Sequence, residues 1–277
     1  MPMYKIVSKK DLAPNIKMFK IYAPRVAAKA MPGQFVILRL HEKGERIPLT
    51  ITDWSKEEGT VTVVVLEAGK TTKQLALMKE GDYILNFVGP LGRPAEIKHY
   101  GTVAFVGGGV GIALLYPEVR AFREAGNKII TIIGARTKEL LIFEDELAKL
   151  SDEFYVATDD GSKGHHGFVS DILKKLLEEG KHIDLVVAVG PVIMMKVISN
   201  LTKPYGVKTI VSLNPIMVDG TGMCGSCRVT VGGETKFVCV DGPEFDGHLV
   251  DFDNLIARNQ RYLEEEKLAL ERFMSHG

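Results

Sequence analysis

The stretch TVAFVGGGVGIALLYPEVRAFREAG, residues 102–126, reads as an apolar strand, a glycine-rich turn and a helix. The same rhythm returns in KIITIIG followed by KELLIFEDELAKL, in EFYVAT, and in DLVVAVGPVIMMKVISNL. Apolar strands that alternate with helices imply a parallel sheet with both faces covered. Gly107, Gly108, Gly109 and Gly111 allow a backbone to approach an anion closely. The helix start behind them offers N–H groups and a partial positive charge to a pyrophosphate. Tight packing is the competing explanation for these glycines. The turn lacks the G-x-G-x-x-G spacing of the usual dinucleotide fold, so a nucleotide is expected in a related but different frame.

Ahead of this region the chain reads as short strands, YKIVSK, KMFKIYA, QFVILRL, TVTVVVLEA and YILNFVG, separated by Pro, Gly and charged turns. That spacing predicts a small antiparallel barrel. One helix interrupts it, TTKQLALMKEG, with Thr71 or Thr72 as a cap and Gly81 past its end. Behind the alternating region, KTIVSLNPIMVDG leads into a cysteine loop, and a charged helix over DFDNLIARNQRYLEEEKLALERFM closes the chain. The division is 1–98 for the barrel, 99–209 for the parallel-sheet domain, and 210–277 for the cysteine lobe with its helix.

Composition narrows the class. A chain of 277 residues, 45% hydrophobic and formally neutral, supports two or three cores. With charges interspersed and no long basic run, nucleic acid is not an expected partner. The start MPMYKIVSKKDL carries no apolar signal core, and no apolar run is long enough for a membrane span. A cytoplasmic location follows as the expectation. There, three cysteines argue for a metal or redox role over disulfides.

All three cysteines, Cys224, Cys227 and Cys239, fall in one segment that opens with VDGTGMCGSC. C-x2-C with a distant third fits zinc completed by a histidine such as His248. It also fits a plant-type [2Fe–2S] pattern, C-x4-C-x2-C with a remote cysteine, if Asp219 stands in the first place. Two further motifs could meet phosphate. ERIPLTI, residues 45–51, sets Arg46 four residues before Thr50 ahead of a strand pair, and AGKTT, residues 68–72, offers a second helix start. A surface arginine and a plain N-cap are the bland alternatives. His165 and His166 in SKGHHGF are expected on a solvent-facing loop.

The order ERIPLTI, AGKTT, FVGPLG, GGGVGIA, TDDGSKG, VGP resembles the ferredoxin–NADP reductase superfamily, whose barrel holds FAD and whose parallel sheet holds NAD(P). With the cysteine lobe, the whole chain resembles the electron-transfer subunits of dihydroorotate dehydrogenases. It resembles still more closely the small subunits of NADH-dependent ferredoxin:NADP oxidoreductases. The resemblance implies that Arg46 meets the FAD diphosphate, that Thr50 lies near the reactive edge of the flavin, and that Gly69, Thr71 and Thr72 hold the diphosphate from the other side. The superfamily motif is arginine, any residue, tyrosine, serine; here Pro48 and Leu49 precede Thr50 and the arginine lies one position further away. Gly107 to Gly111 with Gly190 and Pro191 would frame the nicotinamide nucleotide. Asp159 and Asp160 stand where NADP-using members carry serine and arginine, which implies NADH.

Three sites in series imply a function. Hydride passes between NAD(H) and FAD, and single electrons pass through the [2Fe–2S] cluster to or from a larger partner, with no acid–base side chain required. The resemblance implies a heterodimer with an iron–sulfur flavoprotein subunit that bifurcates electrons and reaches ferredoxin. The dihydroorotate dehydrogenase subunit is the nearest alternative, and a zinc-stabilised nucleotide-binding module without redox activity is the alternative from another class.

Overall fold

A computed structural model describes residues 4–276, so residues 1–3 and 277 of the outer segments lie outside the described residues. The first sheet contains β1 (Tyr4–Ala13), β2 (Ile16–Tyr22), β3 (Phe35–Arg39), β4 (Ile47–Ser55), β5 (Thr60–Leu66), β6 (Tyr83–Ile84) and β7 (Asn86–Leu91). Its order is β6-β1-β2-β5-β4-β3-β7, antiparallel throughout, the predicted barrel. Alternate residues such as Phe19, Ile21, Val61, Val63, Val36 and Leu38 point into one core. Each such burial contributes about 1.5–3 kcal/mol. A short helix, α1 (Pro24–Ala27), adds Val26 to that core.

ERIPLTI does not lie ahead of the strands: from Ile47 it is strand β4 itself. Residues Ile47–Thr50 pair with β3 alone, and the pairing with β5 begins at Ile51. Pro48 therefore sits where the strand has a neighbour on one side only, a position that tolerates a missing N–H. The interrupting helix, α2 (Lys70–Leu77), starts earlier than expected. Its N-cap is Gly69, and Thr72, at the third helical position, hydrogen-bonds back to the Gly69 N–H. Neither Thr71 nor Thr72 is the cap.

The second sheet has the order β11-β10-β9-β8-β12-β13-β16. Its strands are β8 (Thr102–Gly108), β9 (Lys128–Ala135), β10 (Glu153–Thr158), β11 (His165–His166), β12 (Leu185–Val189), β13 (Lys208–Ser212) and β16 (Glu244–Asp246). All pairings are parallel except β13 with β16. The covering helices are α3 (Ile112–Glu124), α4 (Glu144–Leu150), α5 (Val169–Glu178) and α6 (Val192–Thr202). The chain leaves β8 for β9 and β10, then crosses back to β12 and β13. This puts a topological switch point between β8 and β12, where open α/β sheets bind ligands.

The cysteine lobe holds the hairpin β14 (Arg228–Val231) and β15 (Glu234–Phe237), then α7 (Val238–Asp241). It is fused to the parallel sheet, because β16 from the lobe adds to β13, which itself spans residue 209/210. The closing helix is two helices, α8 (Phe252–Asn259) and α9 (Leu263–His276). Phe252 and Leu255 anchor α8 in the core. The polar run 257–261 carries no apolar anchor, and the chain turns before α9. Among the described residues no helix is long and apolar enough to cross a membrane.

Glu118 on α3 is 2% exposed, and its carboxyl faces that of Glu244 on β16. Glu244 is half-buried as a residue, yet its Oε1 is sealed from solvent, and neither this atom nor Glu118 Oε2 has a hydrogen-bond partner. Burial, reinforced by the neighbouring carboxyl, pushes Glu118 well above the ordinary range, and burial pushes Glu244 up to about 7. A raised native value means stability that is full below the unfolded value of 4.5 and is lost as pH climbs through about 7. The wild-type chain should therefore melt lower at pH 8 than at pH 5. Glu118→Gln should flatten that dependence and gain on the order of 1–3 kcal/mol at pH 8. Thermal melts at both values check this, and parallel pH profiles for the two proteins would contradict it.

Candidate cofactor sites and the cysteine lobe

Thr50 lies on β4 opposite Phe35, half-buried, with Leu49 opposite Val36 and Pro48 opposite Ile37. Arg46 is exposed on the loop before the strand. Glu45 beside it reaches α2: its carboxylate lies 2.9 Å from Lys70 Nζ and accepts from the Thr71 hydroxyl. Burial raises Glu45, but the Thr71 hydroxyl and the Lys70 ammonium outweigh it and hold the carboxyl below its ordinary range. The carboxylate is an internal stand-in for an anion at this helix start, so the chemistry of the AGKTT turn fits a diphosphate. Thr71 gives its hydroxyl to this carboxylate. Thr72 is spent on the Gly69 backbone, and a Cβ on Gly69 would meet nothing within 4 Å. Glu45 was not singled out from the sequence; its signal would have been a carboxylate adjoining Arg46.

At the switch point the two glycine turns touch. A Cβ on Gly111 would lie 2.6 Å from the Val189 carbonyl oxygen and 2.9 Å from Gly190 Cα. A Cβ on Gly108 would meet Met194 Sδ at 2.5 Å, and one on Gly107 would meet Leu115 Cδ1 at 2.6 Å. These three glycines answer to packing. Gly109 differs: with φ +56 it has nothing within 4 Å of a built Cβ and leaves open space beside its backbone at the end of β8. Gly190 closes against Met194, and Pro191 starts the helix turn behind it. The crevice between β8 and β12 thus fits a nucleotide chiefly through Gly109 and the start of α3.

Asp160 is tied into its own turn. Its Oδ1 accepts from Ser162 N at 3.0 Å and Ser162 Oγ at 2.6 Å, and these bonds hold the carboxyl below its ordinary value. Asp159 is exposed and makes no side-chain hydrogen bond among the described residues. Ser162 thus engages Asp160 Oδ1, whereas neither carboxylate oxygen of Asp159 is engaged among the described residues. His165 and His166 form the two-residue strand β11 and are exposed, His165 Nε2 lying 3.5 Å from Asp171 Oδ2.

The cysteine loop winds through three left-handed glycines, Gly220 (φ +78), Gly222 (φ +84) and Gly225 (φ +66), a path that side chains with a Cβ resist. Asp219 organises it, accepting from the N–H groups of Thr221, Met223 and Cys224 at 3.0–3.1 Å. Cys224 Sγ donates to Asp219 Oδ1 at 3.4 Å, and Cys227 Sγ lies 3.2 Å from Cys239 Sγ. The four side chains therefore stand as two pairs, and among the described residues no three His, Cys, Asp or Glu side chains close on one metal position. Two pairs suit a centre with two irons, each taking two protein ligands, better than one tetrahedral ion.

Burial raises the Cys224 thiol, but Ser226 hydrogen bonds outweigh it and the net value falls; the buried Cys239 thiol is pushed up to about 12, by burial first and Cys227 second. Metal binding must displace that proton. His248 is engaged elsewhere: Nε2 lies 2.9 Å from Thr202 Oγ1, and Nδ1 is 3.9 Å from Asp246.

The loop rests on the barrel. A Cβ on Gly220 would lie 2.7 Å from both Ile37 Cδ1 on β3 and Leu91 Cδ1 on β7. Arg93 donates its N–H to the Gly242 carbonyl at 2.6 Å. On the other side Arg258 of α8 donates to the Ser226 carbonyl at 3.1 Å. Its spacing from the cysteines gave no sign of this contact.

Three family models match in succession: the oxidoreductase FAD-binding domain over 3–95, the oxidoreductase NAD-binding domain over 105–200, and the iron–sulfur cluster binding domain of dihydroorotate dehydrogenase B over 214–251. A Thermotoga maritima protein named as a homolog of the dihydroorotate dehydrogenase B electron transfer subunit is 56% identical over 269 residues, covering 97% of this chain and 95% of that one. The probable electron transfer subunit of Methanocaldococcus jannaschii is 37% identical over 237 residues, covering 86% and 87%. The chain belongs to the family of dihydroorotate dehydrogenase B electron transfer subunits.

As a member of this family it is an oxidoreductase, an electron-transfer flavoprotein chain that binds FAD, NAD and an iron–sulfur cluster. Among solved structures it is 54% identical to a chain of the NADH-dependent reduced ferredoxin–NADP oxidoreductase, described for flavin-based electron bifurcation. The TM-score is 0.93 and each chain is covered to 99%. A ferredoxin–NADP reductase of Neisseria gonorrhoeae, 23% identical with a TM-score of 0.58 over 74% of this chain and 91% of that one, shares the fold.

Proposed function

We propose that this chain is the small subunit of an electron-bifurcating NADH-dependent ferredoxin:NADP oxidoreductase. The supporting observation is the seam at Gly220, where the loop bearing Asp219 and Cys224 rests on β3, the strand paired with Thr50, and on β7 at its other side. Electrons from a flavin held on this barrel would reach the cysteine loop without crossing the nucleotide domain. Bound FAD supplies the change from two-electron hydride chemistry to single-electron transfer. The protein's part is placement. Thr50 would face the flavin edge, Thr71 and Lys70 would hold the diphosphate, and Arg46, next to Glu45 in the chain, would join them. Gly109 and Gly190 admit the nicotinamide nucleotide, with Pro191 setting the turn. Asp219, Cys224, Cys227 and Cys239 hold a [2Fe–2S] cluster. A division at residue 98 would part the flavin and nucleotide tasks, whereas residue 209 falls inside β13, which the nucleotide domain shares with the lobe.

The cluster loop is open at its crest, where Met223 is 88% exposed and Cys224 is exposed. This is the face toward a larger iron–sulfur flavoprotein partner, through which ferredoxin exchanges electrons. Purification of the complex by a tag on this chain tests the proposal. NADPH-driven reduction of ferredoxin that requires NAD+ supports it. Dihydroorotate-driven reduction of NAD+ without ferredoxin reduction would replace it with the other activity of the family. Acid extraction of the same preparation should release FAD, and release of FMN would contradict the diphosphate seat at α2.

A further inference from the structure

We infer that Arg258 is a positioning residue that raises the reduction potential of the cluster on the cysteine loop through its positive charge. The inference rests on the proposal that Asp219, Cys224, Cys227 and Cys239 are the ligands.

Three guanidinium groups gather behind the loop. Arg258 Nη2 donates to the Ser226 carbonyl and Arg228 Nη1 to the Gly225 carbonyl, each at 3.1 Å, and Arg261 acts on Arg258 electrostatically. The two carbonyls belong to the residues between Cys224 and Cys227. Among the described residues none of the three arginines is within salt-bridge distance of a carboxylate. Asp241, the nearby acid, accepts from Phe237 N–H at 2.8 Å and lies 3.5 Å from Arg93. Arg258 is half-buried, whereas Arg228 and Arg261 are exposed. Burial first, then repulsion from Arg228 and Arg261, pulls Arg258 below its ordinary value, while Cys227 pulls the other way.

Like charges gathered without counter-ions cost stability unless something negative faces them. Three thiolates, one carboxylate, two sulfides and two ferric ions make a doubly negative centre, and one added electron makes it triply negative. A fixed cation is attracted more strongly to the reduced form, so it favours reduction. Arg258 carries most of this effect because water and salt screen the two exposed arginines.

The experiment is a dye-mediated redox titration of the purified complex, read by the visible and electron paramagnetic resonance signals of this chain's cluster. Wild type is compared with Arg258→Met, Arg258→Lys and Arg261→Gln, with iron and flavin measured in each. Arg258→Met should keep its iron and shift the electron-sharing equilibrium between flavin and cluster about tenfold away from the cluster. Arg258→Lys, which keeps the charge without the planar fork, should recover most of that shift. Arg261→Gln, which removes no bond to the loop, should give a smaller shift that high salt erases. A wild-type equilibrium in an iron-replete Arg258→Met protein overturns the inference, as does equal loss in the lysine variant. If Arg258→Met sheds its iron, Arg261→Gln decides, and no shift at low salt overturns the inference. Wild type without iron would instead refute the ligand assignment beneath it.

Discussion

Asp219→Ala is expected to purify with its flavin but with little or labile iron, while His248→Ala keeps two irons per chain. The carboxylate holds the loop by three backbone N–H groups and lies 3.4 Å from Cys224 Sγ, so its removal takes away both the proposed iron ligand and the organiser of the turn. Asp219→Asn separates these roles, because an amide oxygen still accepts the backbone bonds but brings no negative charge to iron. His248 spends Nε2 on Thr202, and its loss should cost only the local fold. Asp219→Cys should retain two irons with a changed paramagnetic resonance spectrum, since thiolate is the softer ligand. Wild-type iron content and spectrum in Asp219→Ala, with iron lost from His248→Ala, would transfer the fourth position to the histidine.

At the nucleotide site of this subunit, purified without its partner, NADH is expected to exceed NADPH in kcat/KM by about a hundredfold, with Asp159 responsible. A carboxylate near a 2′-phosphate is repelled by about 4 kcal/mol at contact for an effective dielectric near 20, and exposure reduces this to a factor on the order of 100. The same group accepts hydrogen bonds from a ribose diol. Asp160 contributes little, because Ser162 already occupies its Oδ1. Arg136 lies at the same turn, its carbonyl accepting the Asp160 N–H at 3.2 Å. Asp159→Ser removes the repelling carboxylate and should move preference toward NADPH. Asp160→Ser should loosen the turn without reversing the choice. Steady-state reduction of an artificial acceptor by each nucleotide measures this, and equal values for wild type would refute it.

Element types were legible where spacing alone decides them. The period-two strands of the barrel and the strand–turn–helix rhythm after residue 102 depend on local burial patterns. The edges of elements were less legible. Spacing sets ERIPLTI ahead of a strand pair, and only the handover of β4 from β3 to β5 shows how Pro48 is accepted inside a strand. The apparent single closing helix breaks at 260–262 because its anchors Phe252 and Leu255 belong to one core and the rest of the run does not.

The residues able to ligate metal were determined by the sequence alone. Only three cysteines exist, their spacing is local, and Asp219 stands in the remaining place of a C-x4-C-x2-C frame. The tertiary structure decided how the four divide, Asp219 with Cys224 and Cys227 with Cys239, because Cys239 returns to the loop only through the β14–β15 hairpin. It likewise separated Gly109, with open space beside it, from Gly107, Gly108 and Gly111, which pack against α3, α6 and the end of β12. It also brought Arg258 to Ser226 across 32 residues. A pattern of neighbours along the chain carries ligand type and turn freedom. Contact between distant residues depends on how the sheets close, and that is set by burial summed over the whole core.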